Sequence, residues 1–134
     1  MVELREIRRV MSTPRIEFGG LTVFMIPGGM DNYIYVVVGE DETKSVVIDP
    51  FDDQPVHDLM REEGFRVSHI LATHYHRDHT QGISGLKETT DAVVVGPVGE
   101  GVFAQDQFVG EGDRVTAGPL ELEVWETPGH TRAD

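Results

Sequence analysis

The chain contains no cysteine, one tryptophan, and only Lys44 and Lys87 as lysines among its 11 basic residues. Without thiols, neither a disulfide framework nor thiolate catalysis is open to it. No apolar stretch approaches the roughly 20 residues of a membrane span. The N-terminus lacks the apolar core of roughly 7–15 residues that a signal peptide needs, so the expected location is the cytoplasm. The shortage of base is the strongest exclusion: 24 acidic residues give a net charge of −13. Nucleic-acid binding rests on a basic footprint. The only local cluster here, Arg5, Arg8 and Arg9, is diluted by Glu3 and Glu6. A small-molecule substrate is the expectation, with neither nucleic acid nor membrane as partner. The acidic residues are dispersed (Glu40-Asp41-Glu42, Asp52-Asp53, Glu62-Glu63), which describes a solvated surface. Halophiles carry such excess charge; a salt-loving source is expected, and a denaturation midpoint that fails to rise with KCl would count against it.

What the chain does have is histidine in a pattern. Thr73-His74-Tyr75-His76-Arg77-Asp78-His79 places three imidazoles and a carboxylate together, and Thr127-Pro128-Gly129-His130-Thr131 adds a fourth imidazole on a separate turn. Neutral imidazole and carboxylate suit Zn²⁺, Fe²⁺ or Mn²⁺. His74 and His76 are two apart, so on extended backbone both leave one face. The apolar run Val67 to Ala72 reads as a buried strand that delivers the pair at its C-terminal end. Asp78 and His79 can face the same cavity from a turn into a short helix. Three nitrogens, from His74, His76 and His130, leave one metal position open to water, whose pKa then falls to about 7. Tyr75 and Arg77 alternate with the ligands and are expected to point away.

These motifs resemble the metallo-β-lactamase superfamily, and its glyoxalase II (hydroxyacylglutathione hydrolase)-like branch in particular. Asp31 to Val37 resembles the family's second strand, and Val46-Val47-Ile48-Asp49-Pro50 the strand ending in an aspartate beneath the metals. Gly112 to Val115 and Leu120 to Val124 resemble the approach to the TPGHT turn. The resemblance implies an α/β fold, an αββα sandwich of which this chain covers roughly the N-terminal half. It implies His74, His76 and His130 on a first metal and Asp78 and His79 on a second, with Zn²⁺ (one or two), Fe²⁺ or Mn²⁺ as the ion. Asp78 would also orient the attacking hydroxide. The family completes its site with a bridging aspartate and a last histidine well downstream of TPGHT, and the 134 residues end before either position. The implied reaction is hydrolysis of a small-molecule thioester or related acyl bond. Two alternatives stand beside it: a mononuclear-iron persulfide dioxygenase of the same superfamily, and a non-catalytic metal-binding half-domain. A half-sandwich leaves one sheet face and an edge uncovered, so a homo-oligomer or a complementing chain is expected.

The organisation reads as one domain, residues 1–134, without repeats or linkers. Strands are expected at Arg15 to Phe18 and Leu21 to Ile26 around Gly19-Gly20, then Tyr33 to Val38 and Ser45 to Ile48 as a meander. A helix is expected from Val56 to Glu63, with Gly64 as its stop, and a shorter one from Ile83 to Glu88. Further strands are expected at Val67 to Thr73, Ala92 to Val95 and Leu120 to Glu126. His57 is expected to face solvent, His69 to serve packing, Trp125 to lie in the core or an interface, and Gly82 to permit an unusual backbone angle.

Overall fold

A computed structural model describes residues 13–28, 32–73, 82–98 and 105–126. The chain begins as an antiparallel meander, β1 (Arg15–Phe18), β2 (Leu21–Gly28), β3 (Asn32–Val38) and β4 (Ser45–Ile48). Gly19 and Gly20 both take positive φ (55° and 79°), the geometry a two-residue hairpin turn requires. From β4 the chain crosses through helix α1 (Gln54–Glu63) to β5 (Val67–Leu71) and through α2 (Ile83–Thr89) to β6 (Val93–Pro97). β5, β6 and the short β7 (Gln107–Val109) continue the sheet in parallel, giving the order β1-β2-β3-β4-β5-β6-β7. A separate hairpin, β8 (Arg114–Ala117) and β9 (Leu120–Glu123), completes the described fold.

The helices cover one face of the sheet, and the hairpin covers the other in part, leaving Tyr33 and Tyr35 exposed on it. Phe24, Ile26, Ile34, Val36, Val47, Ile70 and Val94 alternate onto one face and meet Val56 and Leu59 of α1 and Ile83 and Leu86 of α2. On the reverse face Val37 and Val46 pack with Ala117, Leu120 and Leu122 of the hairpin. The strand β9 reads Leu-Glu-Leu-Glu, with leucines half-buried and glutamates exposed, as the alternation predicts. Arg15 ties β1 to the end of α1 by a fork of two bonds to Glu63 (3.0 and 2.9 Å), its guanidinium lying 4.8 Å from the Phe24 ring centre. That pairing with Glu63 raises the Arg15 pKa further above its already basic value.

His69 joins the two sheets. Its Nδ1 accepts the backbone N–H of Gly118, in the hairpin turn, at 2.9 Å. A Cβ on Gly118 would approach the Ser45 carbonyl carbon to 3.1 Å, so the turn sits directly on β4. Burial pushes the His69 pKa below its ordinary 6.5. Because the folded pKa is depressed, the unfolded chain takes up the proton first as pH falls below 6.5, so this contribution is present above that pH and lost beneath it. An imidazolium, moreover, has no lone pair with which to accept from Gly118. Amide exchange in β8 and β9 should therefore accelerate relative to β3 as the pH is lowered through the ordinary histidine range, near 6.5, after correction for intrinsic rates. Uniform behaviour of the two sheets would remove His69 as the clip.

Most of the sequence reading holds, with instructive departures. The helix begins two residues before Val56, with Pro55 in its first turn, where the missing N–H is harmless. Leu120 to Glu126 stops being strand at Glu123, and Val67 to Thr73 at Leu71. His57 does not face solvent: Nδ1 lies 3.2 Å from Asp53 and Nε2 2.7 Å from Thr89, linking α1 to α2. Trp125 is 71% exposed and forms no part of the core. Gly82 has φ −82°, available to any residue; crowding, not backbone angle, is what calls for glycine there.

Candidate metal centre

The sequence ligands His74, His76, Asp78, His79 and His130 lie outside the described residues. Among the described residues no group of three or more His, Cys, Asp or Glu side chains could hold a metal ion. What is described is the platform from which the HxHxDH segment departs and to which it returns.

That platform is the turn Asp49 to Asp53, at the C-terminal end of β4. Asp49 is buried, and it is the only non-glycine among the described residues with positive φ (52°). Aspartate tolerates this left-handed conformation better than most residues. Its N–H donates to Leu71 O at 2.8 Å, continuing the β4–β5 ladder one residue past the end of β4. Its carboxylate then accepts twice from Thr73: the backbone N–H on Oδ1 and the hydroxyl on Oδ2, both at 2.8 Å. Thr73 is the residue immediately before His74. One carboxylate thus fixes both the backbone and the rotamer of the residue that introduces the motif.

The return is fixed by the next residue of the same turn. Gly82 N–H donates to Pro50 O at 2.7 Å, and a Cβ at Gly82 would come within 2.7 to 2.9 Å of backbone atoms of Asp52, Asp53 and Pro50. The edge of α2 fits as closely, since a Cβ on Gly85 would meet the Asp53 carboxylate. Phe51 fills the space above Gly28, where a Cβ would lie 2.7 Å from its ring. Residues 73 and 82, the two flanks of the motif, are therefore both fastened to one turn, at its buried residues Asp49 and Pro50. The resemblance singles out Asp49 as an aspartate beneath the metals; the contacts of Thr73, Pro50 and Gly82 emerge only from the fold. Their signal was available, in that Thr73 and Gly82 bracket the motif.

The donor set at this position suits the ions expected of it. Imidazoles at i and i+2 with a carboxylate at i+4 are the ligands of Zn²⁺ or Fe²⁺ sites, and such ligands need a fixed backbone beneath them. A sequence profile of the metallo-β-lactamase superfamily matches residues 27–133, which include the platform and both motifs. The chain belongs to the metallo-β-lactamase superfamily. Hydroxyacylglutathione hydrolase of Chromohalobacter salexigens is 40% identical over 111 residues, 83% of this chain and 44% of that protein. The enzyme of the same name from Pseudomonas aeruginosa LESB58 is 39% identical over 107 residues, 79% of this chain and 42% of its own length. A metallo-β-lactamase structure from Staphylococcus aureus shares the fold with a TM-score of 0.72 at 22% identity, covering 85% of this chain and 35% of that one. The chain therefore spans less than half the length of the curated relatives it matches, and its mixed sheet with helices on one face and a hairpin on the other is part of the superfamily's sandwich.

Proposed function

We propose that this chain carries the metal-binding segment of a hydrolase that cleaves a thioester or related acyl bond of a small molecule. The observation that supports it best is the double fastening of the HxHxDH segment, through Thr73 to Asp49 and through Gly82 to Pro50. A segment without chemical duty has no need of a buried, left-handed aspartate under one end and a glycine pressed on backbone under the other. In this reading His74, His76 and His130 hold one metal, Asp78 and His79 contribute to a second, and Asp78 orients the attacking water. When bound, the metal supplies Lewis acidity that lowers the pKa of water and polarises a carbonyl. Asp49 keeps the ligand-bearing backbone in place while its charge remains away from solvent. The similarity to hydroxyacylglutathione hydrolases favours a thioester over other acyl bonds, and a cytoplasmic setting accords with it. The whole of residues 1–134 acts as one domain, with a second copy or a complementing chain as its macromolecular partner. Among the described residues no helix is long and apolar enough to cross a membrane.

The test is metal content per chain, by elemental analysis of protein purified without added metal, followed by thioester hydrolysis with and without a complementing segment. One to two equivalents of zinc with turnover would bear the reading out. Stoichiometric metal without turnover under either condition would favour a purely metal-binding half-domain. Protein that neither retains nor takes up metal would sink the proposal.

A further inference from the structure

Strand β1 lies at the edge of the described sheet, and its outer side is self-complementary. We propose that two copies of this chain pair through antiparallel β1 strands about a two-fold axis at Ile16, joining their sheets edge to edge. This rests on the self-association included in the functional reading, not on the metal chemistry, and mass and metal content can be read separately.

Backbone direction limits the registers. Met25 N–H donates to Pro14 O at 3.0 Å, and β1 pairs with β2 as Arg15↔Phe24, Ile16↔Val23, Glu17↔Thr22 and Phe18↔Leu21. In an antiparallel ladder, directly opposed residues alternate between bonded and non-bonded pairs. Pro14, Ile16 and Phe18 therefore turn their backbone polar groups toward β2, while Arg15 and Glu17 turn theirs toward the open edge. A two-fold partner must then place Arg15 and Glu17 in the bonded positions. Centring on Glu17 opposes two carboxylates, and centring on Arg15 opposes two guanidiniums; both are unfavourable. Centring on Ile16 sets Arg15 of each copy against Glu17 of the other and forms the backbone bonds of two complete pairs.

Side chains on both faces suit that register. Arg15 has five N–H donors, of which Glu63 takes two, so the guanidinium can receive a second carboxylate. Glu17 is exposed, and its charge already acts on Arg15 of the same chain. On the opposite face Ile16 and Phe18, 51% and 59% exposed, lie across from Val23 and Leu21 at the rim of the hairpin cluster. The two-fold would bring Ile16 against its own copy and cover apolar surface that a lone chain leaves in water. Between Arg15 and Phe18 the edge carries no proline and no bulge to discourage such pairing.

Because the chain has no cysteine, a single introduced thiol reports only symmetric contacts. Ile16→Cys would place two Cα atoms about 4.5 Å apart in a non-bonded pair, within disulfide reach. Phe18→Cys, on the same face and as exposed, would be offset by four residues, more than about 13 Å along the strand. We expect Ile16→Cys to cross-link under mild oxidation at least about tenfold faster than Phe18→Cys, the latter lying outside disulfide geometry. The unmodified protein should sediment at twice 14.9 kDa, and Glu17→Arg, which opposes arginines across the axis, should revert to a monomer with its circular dichroism unchanged. A monomeric parent protein would overturn the proposal, as would cross-linking that is equal at the two positions or favours 18, or a Glu17→Arg protein that stays dimeric.

Discussion

Asp49→Ala should weaken metal binding by about 10–100-fold, the usual consequence of removing a group that orients ligands from behind. The carboxylate accepts both the N–H and the hydroxyl of Thr73, so alanine deprives the residue preceding His74 of both restraints together. Bonds to a charged acceptor contribute about 1.5–3 kcal/mol each, and alanine at φ 52° adds the left-handed penalty of about 1–2 kcal/mol. The amide substitution Asp49→Asn should behave differently. Asparagine accepts the left-handed backbone and keeps one oxygen for the Thr73 N–H, so this variant should remain close to the parent in stability while losing part of the metal affinity with the charge. Chelator competition on the two folded variants separates these effects. An alanine variant that binds metal as tightly as the parent would show that Asp49 serves the turn alone.

Gly82→Val should lower the stability of the fold by about 1–3 kcal/mol, the range for overpacking a close-fitted site, corresponding to a melting temperature lower by roughly 5–10 °C for a domain of this size. The added Cβ meets the Asp52–Asp53 peptide (C at 2.7 Å, N at 2.8 Å) and the Pro50 carbonyl oxygen at 2.9 Å. None of these can swing aside as a side-chain terminus would. Relief requires moving the turn or lengthening the Gly82–Pro50 hydrogen bond, and either disturbs the return of the motif. Gly110 is the natural comparison, since a Cβ there meets nothing within 4 Å. Gly110→Ala should leave thermal unfolding unchanged or slightly improved through the unfolded chain. Equal melting temperatures for Gly82→Val and the parent would mean that the turn yields more easily than backbone packing implies.

Alternation and turn chemistry account for the strands that can be read from the chain. β9 alternates leucine with glutamate, β2 and β3 are short apolar and aromatic runs rich in β-branched residues, and β1 and β2 meet at a Gly-Gly turn. β7 is absent from the sequence reading, because three residues at an edge with two exposed side chains carry no period. β8 is absent too, despite its two-residue Gly118-Pro119 turn, which pairs Arg114 to Ala117 with Leu120 to Glu123. His57 lies among polar residues and suggests solvent; only the neighbouring helix supplies Thr89 for its second nitrogen. Half-cover of the reverse sheet face is likewise invisible in the string, since it needs the His69–Gly118 contact between residues far apart in sequence.

The sequence by itself determined the kind of chemistry this chain can hold: no thiols, a net charge of −13, and imidazoles and carboxylates spaced as metal ligands. Those properties depend on residue identity and near-neighbour spacing, which a linear string states in full. Only the tertiary structure decided that Asp49 reaches Thr73 and Pro50 reaches Gly82. Parallel pairing of β4 with β5 brings their C-terminal ends side by side, and such a pairing between distant segments leaves no trace in local periodicity. The place of β1 at the edge of the described sheet belongs to the same class of fact, because which backbone groups point outward is settled by the partner strand and not by the residues themselves.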